Sequence, residues 1–173
     1  MWHRHQRYHG QALPILALML PALTLFILVV IEVANLWLDV ALLEDALQQA
    51  TRSAVQHLDY AMLARNTQSL RGNRTCQAVT VTNPGHCAAI VNVAHQFLLA
   101  NLRTARLDGL DPDKLAAAVR WTVLPQGGTC TYVTSSTPLL CAEVQPTLHG
   151  LFGLGEIRPR IRAADTIDRL SRP

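Results

Sequence analysis

From Ala12 to Ile31 the chain runs through 20 consecutive uncharged residues, seven of them Leu, with Thr24 the only polar side chain. A helix rising ~1.5 Å per residue over that length matches the ~30 Å hydrocarbon core of a bilayer. Beyond it the pattern changes without stopping. Val33, Leu36, Trp37, Val40, Leu43, Leu47, Ala50, Ala54, Leu58 and Ala61 recur at spacings of three and four, the stripe of a helix with one buried face. Neither Pro nor Gly occurs between Pro21 and Gly72. The spacing therefore predicts one continuous helix from about Ala12 to about Arg65, ~80 Å long, its first part in lipid and its second packed on a domain. Pro14 falls in the first turn, where a missing N–H costs nothing; interior Pro21 predicts a kink.

The helical register breaks at Arg71-Gly72-Asn73. Val79-Thr80-Val81-Thr82 then reads as extended chain, followed by the turn Asn83-Pro84-Gly85. A second amphipathic helix is expected from about Ala88 to Arg106, with Ile90, Val93, Ala94, Phe97, Leu98 and Leu102 as its apolar face. Asp111-Pro112 is a helix N-cap followed by Pro at the first helical position. From Ala118 the period falls to two, and strands are expected at Val119–Leu124, Cys130–Thr134, Leu140–Val144 and Ile157–Ala163. The fold class is thus α+β: a long N-terminal helix carrying a head with a second helix and a small antiparallel sheet. Four segments follow: a basic tail over 1–11, a span over 12–31, the helix continuing outside the membrane over 32–65, and the head over 66–173.

Composition adds compartment and orientation. Half of the 173 residues are apolar and the mean hydropathy is +0.18, high for a soluble domain. The net charge of +3 is too small to imply nucleic acid. Arg4 and Arg7 precede the span, whereas Glu32, Asp39, Glu44 and Asp45 follow it before any basic residue. The positive-inside rule places the N-terminus in the cytoplasm and the head outside the cytoplasmic (inner) membrane. The span is longer than a signal-peptide core, and Glu32 and Asp39 spoil the nearest small-x-small sites, so an uncleaved anchor is expected.

Cys76 and Cys87 stand 11 apart, as do Cys130 and Cys141, and no C-x-x-C occurs. Four Cys allow three pairings, of which the local one, 76 with 87 and 130 with 141, needs the least chain. If Ser135-Ser136 forms a two-residue turn, 130 faces 141 across a hairpin at bondable separation. Such links last in an oxidising compartment, outside the membrane. Four buried thiols are the alternative.

Catalytic patterns are lacking: no G-x-S-x-G, H-E-x-x-H or phosphate-binding loop occurs, and no cofactor or metal site is expected. His3, His5 and His9 read as a basic flank. Asp108, Asp111 and Asp113 lack the downstream Glu of a calcium loop and read as helix capping. Gly150-Leu-Phe-Gly-Leu-Gly155 reads as a loop laid against the membrane or the sheet. Arg158, Arg160 and Arg162 alternate with Ile157, Pro159 and Ile161, giving a strand with one basic face, either a solvated edge or a contact for acidic headgroups or an acidic partner. Glu32 ends the apolar run, where a charge left in the membrane core costs ~2–3 kcal/mol. It marks either an ordinary boundary or a site paired during assembly. Ala46, Ala50, Ala54 and Ala61 permit close helix packing on the head or on a partner.

The N-terminal third resembles a known family. Gly10-Gln11-Ala12-Leu13 leads into the apolar run, followed by Ile31-Glu32-Val33-Ala34-Asn35-Leu36-Trp37-Leu38 and then Ala46-Leu47-Gln48-Gln49-Ala50-Thr51-Arg52-Ser53-Ala54. Over about residues 9–55 this is similar to the TadE/TadG-like proteins of the Tad (tight adherence, Flp) pilus system, closer to the short TadE-like type. The resemblance implies a pilin-like head and a pseudopilin-like role in pilus assembly or secretion, not an enzyme. It directs attention to Gly10, Glu32 and the Ala46–Ala54 stretch. The implied partners are the membrane, pilin or pseudopilin subunits and the assembly platform, with no nucleic acid and no small-molecule substrate. A membrane-tethered sensor or ligand-binding domain is the alternative.

Overall fold

The computed structural model describes residues 12–57, 70, 74–105, 107, 109–130, 132–150 and 155–167. The first helix, α1 (Ala12–Val55), is continuous for 44 residues and runs through Pro21 without a break. From Ala17 to Ile31 it is exposed and apolar all round but for Thr24, and it is long and apolar enough to cross a membrane. The hydroxyl of Thr24 donates to the Pro21 carbonyl (2.8 Å), so this one polar group is satisfied within the helix. α1 ends at Val55 rather than near Arg65, where His57 N–H closes a tighter turn on the Ala54 carbonyl. Its length is therefore ~66 Å rather than ~80 Å. Leu58, Ala61 and the Arg71-Gly72-Asn73 break lie outside the described residues, as does the tail over 1–11.

The head is built on the second half of α1. A strand β1 (Cys76–Val79) and a short 3-10 turn (Gly85–Cys87) lead into α2 (Ala88–Ala105), and a seven-residue α3 (Pro112–Ala118) follows. Asp111 caps α3 as the sequence predicts, its carboxylate accepting from the N–H groups of Asp113 and Lys114. The face α2 buries is Ile90, Val91, Ala94, Leu98 and Leu102. Phe97, expected on that face, is exposed, and Val91 is buried instead.

Then come β2 (Arg120–Leu124), β3 (Gly128–Cys130), β4 (Val133–Ser135), β5 (Leu139–Val144), β6 (Leu148–His149), β7 (Glu156–Ile157) and β8 (Ile161–Thr166). The main sheet is antiparallel with the order β1-β2-β5-β8. On one face Trp121, Val123, Leu140, Ala142, Val144, Ile161 and Ala163 meet α1 and α2 in the main core. On the other, Leu124, Cys130, Leu139 and Cys141 form a second apolar cluster with Tyr132 and Val133.

That second cluster exists because a ribbon folds back. β2 and β5 pair with Leu124 opposite Leu139, and β3 and β4 keep the same register, with Gly128 opposite Ser135 and Cys130 opposite Val133. The hairpin therefore closes between Cys130 and Val133, not at Ser135-Ser136, and Cys141 sits opposite Thr122 rather than Cys130. Gln126-Gly127-Gly128 is a bend within the ribbon. Gly127 adopts φ +83°, and a Cβ there would lie 2.6 Å from the Ser135 carbonyl oxygen, so the bend needs glycine. The expected strand Ile157–Ala163 is likewise interrupted: Arg158, Pro159 and Arg160 separate β7 from β8. Proline has no N–H for a ladder, which accounts for the gap.

Candidate functional site

Both local disulfides form, Cys76 with Cys87 and Cys130 with Cys141. The first ties β1 to the turn that starts α2. The second pins the ribbon tip to the back face of the sheet, the same pair as expected but reached by folding back.

Tyr132, at that tip, secures the fold-back. Its hydroxyl lies within hydrogen-bond distance of the carbonyls of Ala142 (3.0 Å) and Ala163 (2.5 Å), on β5 and β8, and shares its one proton between them. Burial, reinforced by Glu143 and opposed by Arg162, pushes its phenol up to about 12. The Arg162 guanidinium lies 5.2 Å from the centre of its ring.

The three arginines do not form a free basic face. Arg160 and Arg162 share Glu143, at 3.4 and 3.1 Å, and Arg158 pairs with Glu156 at 2.7 Å. Only Arg162 lies on β8. With Arg120, Tyr132 and Glu143, Arg160 and Arg162 line a cleft of about 190 Å³ on the back of the sheet. Small-molecule sites generally begin at ~300 Å³, so the cleft suits a single side chain or carboxylate better than a metabolite. Among the described residues no group of three or more His, Cys, Asp or Glu converges. His3, His5, His9 and Asp108 lie outside them.

The alanines belong to the molecule's own core. Ala46, Ala50 and Ala54 are buried where α1 packs against α2 and β8, so the close approach they allow goes to the head and not to a separate partner. Thr51, fully buried among them, satisfies its hydroxyl on the Gln48 carbonyl.

Glu32 is where the head reaches the apolar N-terminal part of α1. It is 5% exposed and lies directly against Gly150, so closely that a Cβ on residue 150 would overlap its carboxyl group. Gly150 follows β6 and donates its N–H to the Gly155 carbonyl (3.2 Å), so β6 and β7 form a hairpin whose end abuts α1. Residues 151–154, between those glycines, lie outside the described residues. The sequence singled out both Glu32 and the glycine loop without joining them. Tyr132 and Glu143 carry no motif, and their roles, like that of Gly150 against Glu32, come from contacts distant in sequence.

No protein-family model, no curated protein and no solved structure matches the chain.

Proposed function

We propose that the protein is a TadE-like, pseudopilin-type component of Tad (Flp) pilus assembly or secretion. It is anchored in the inner membrane by one span with its N-terminus inside, and works by protein–protein contact. The observation that carries this reading is that a single helix serves both halves. α1 is lipid-compatible through Ile31, and from Leu43 onward its buried face is part of the head's core. Such a helix fixes the head at a set height and orientation above the bilayer, as an assembly subunit requires and a flexibly tethered domain does not. The two disulfides support an oxidising location for the head. The N-terminal motif order supports the family and, through it, pilins or pseudopilins and the assembly platform as partners. The test is deletion of the chain in its native host, with complementation by the full chain. Loss of Tad-type pili on deletion and their return on complementation is expected. Unchanged piliation contradicts the proposal.

A further inference from the structure

Above Ile31 the two sides of α1 differ. Towards the head lie buried Glu32 and half-buried Asn35, Leu36, Asp39 and Val40; away from it, Val33, Ala34, Trp37, Leu38 and Ala41 are exposed. Trp37 and Leu38 are 70% and 56% exposed. This outward apolar face continues that of the span without a polar side chain between Thr24 and Ala41. It then turns abruptly polar, with exposed Glu44, Asp45, Gln48, Gln49 and Arg52.

The length fits a membrane to its outer edge. Counting from Ala12, 20 residues cross the ~30 Å hydrocarbon core, and the residues to Leu38 add ~10 Å, which brings the apolar face through the headgroup layer of a bilayer ~40–45 Å thick. Trp is the side chain that favours that layer, with an apolar body and one N–H donor. At the same height on the opposite side, Gly150 covers Glu32, and the hairpin carrying Gly150 also presents exposed Ile157 and Arg158.

We propose that the outward face of α1 from Val33 to Leu38 is immersed in the phospholipid headgroup layer on the head's side of the membrane. The head is then seated on the bilayer, and Gly150 shields the Glu32 carboxyl from lipid. This rests on the anchored reading above. The occupant is lipid because the face is continuous with the span and ends where polar side chains begin. A helix of another subunit is the competing occupant.

Trp37 reports its own surroundings. The full chain with Trp2→Phe, and the same chain with Trp37→Phe added, are reconstituted in phosphatidylcholine–phosphatidylglycerol vesicles; buried Trp121 is common to both and cancels. The difference emission belongs to Trp37. Lipid brominated near the headgroup end of its acyl chains should remove most of that emission, lipid brominated near the chain ends much less, and aqueous acrylamide little. Flotation of the protein with the vesicles, but quenching of Trp37 by acrylamide and not by brominated lipid, overturns this inference and leaves the anchor standing. Protection from both quenchers also overturns it, in favour of a protein neighbour. Failure to float overturns the inference and the anchor together.

Discussion

At the scale of single residues, two contacts join parts of the chain that no local pattern relates. One is Gly150 against Glu32. Gly150→Ala places a methyl group on the carboxyl, so the Glu32 side chain must leave its buried position, at a cost of up to ~1–3 kcal/mol. Denaturant unfolding of the full chain should show that loss, and adding Glu32→Ala should restore part of it, because the two changes share one contact. An effect of Gly150→Ala that is the same with and without Glu32→Ala contradicts the contact. The other is Tyr132. Tyr132→Phe removes the one proton shared between the two carbonyls and should cost ~1 kcal/mol. It should also change the alkaline limb of stability. The phenol is held at about 12 in the folded head against 10.0 ordinarily, so above pH 10 the unfolded chain loses the proton first. Stability contributed by Tyr132 is complete below pH 10 and lost as pH rises towards 12. Urea midpoints measured across that range should fall more steeply for the parent than for Tyr132→Phe.

At the scale of elements, the helices were legible and the ribbon was not. The period of three and four located α1 and α2, and Asp111-Pro112 located α3, since each signal is local to its helix. Two details escaped: the end of α1 at Val55, and the rotation of α2 that buries Val91 and exposes Phe97. Both depend on what the helices pack against. The strands lay close to their expected positions, yet their pairing did not follow. Alternation and a plausible turn at Ser135-Ser136 fit a simple hairpin, whereas the bend at Gly127 and the anchoring of Tyr132 on β5 and β8 are set by distant chain. The Cys130–Cys141 pair was legible despite this, because both arrangements bring those sulfurs together. Its effect is testable: Cys130→Ser with Cys141→Ser should cost ~2–3 kcal/mol by loop-closure entropy, and Cys76→Ser with Cys87→Ser a similar amount. Calorimetric melting of each pair against the parent measures it. On α1, Ala50→Leu forces a large side chain between α1 and the head, with an expected loss of ~1–3 kcal/mol or more in the same assay. Were Ala50 on a surface kept for a partner, that substitution would leave melting unchanged.

At the scale of the whole molecule, one arrangement governs the rest: a long apolar helix whose far half is the spine of a disulfide-linked α+β head. The apolar run was legible as a helix long and apolar enough to cross a membrane. The joint between that apolar part of α1 and the head was not, because Gly150 lies more than a hundred residues from Glu32 and only folding brings them together. The most direct test is thiol accessibility in intact cells, with and without a reductant, alongside the mass of the membrane-bound protein. The expected result is no reactive thiol before reduction, four after reduction by a reagent that does not cross the inner membrane, and a full-length mass. Four free thiols labelled only after lysis would place the head in the cytoplasm and contradict the disulfides, the orientation and the pilus-assembly proposal together.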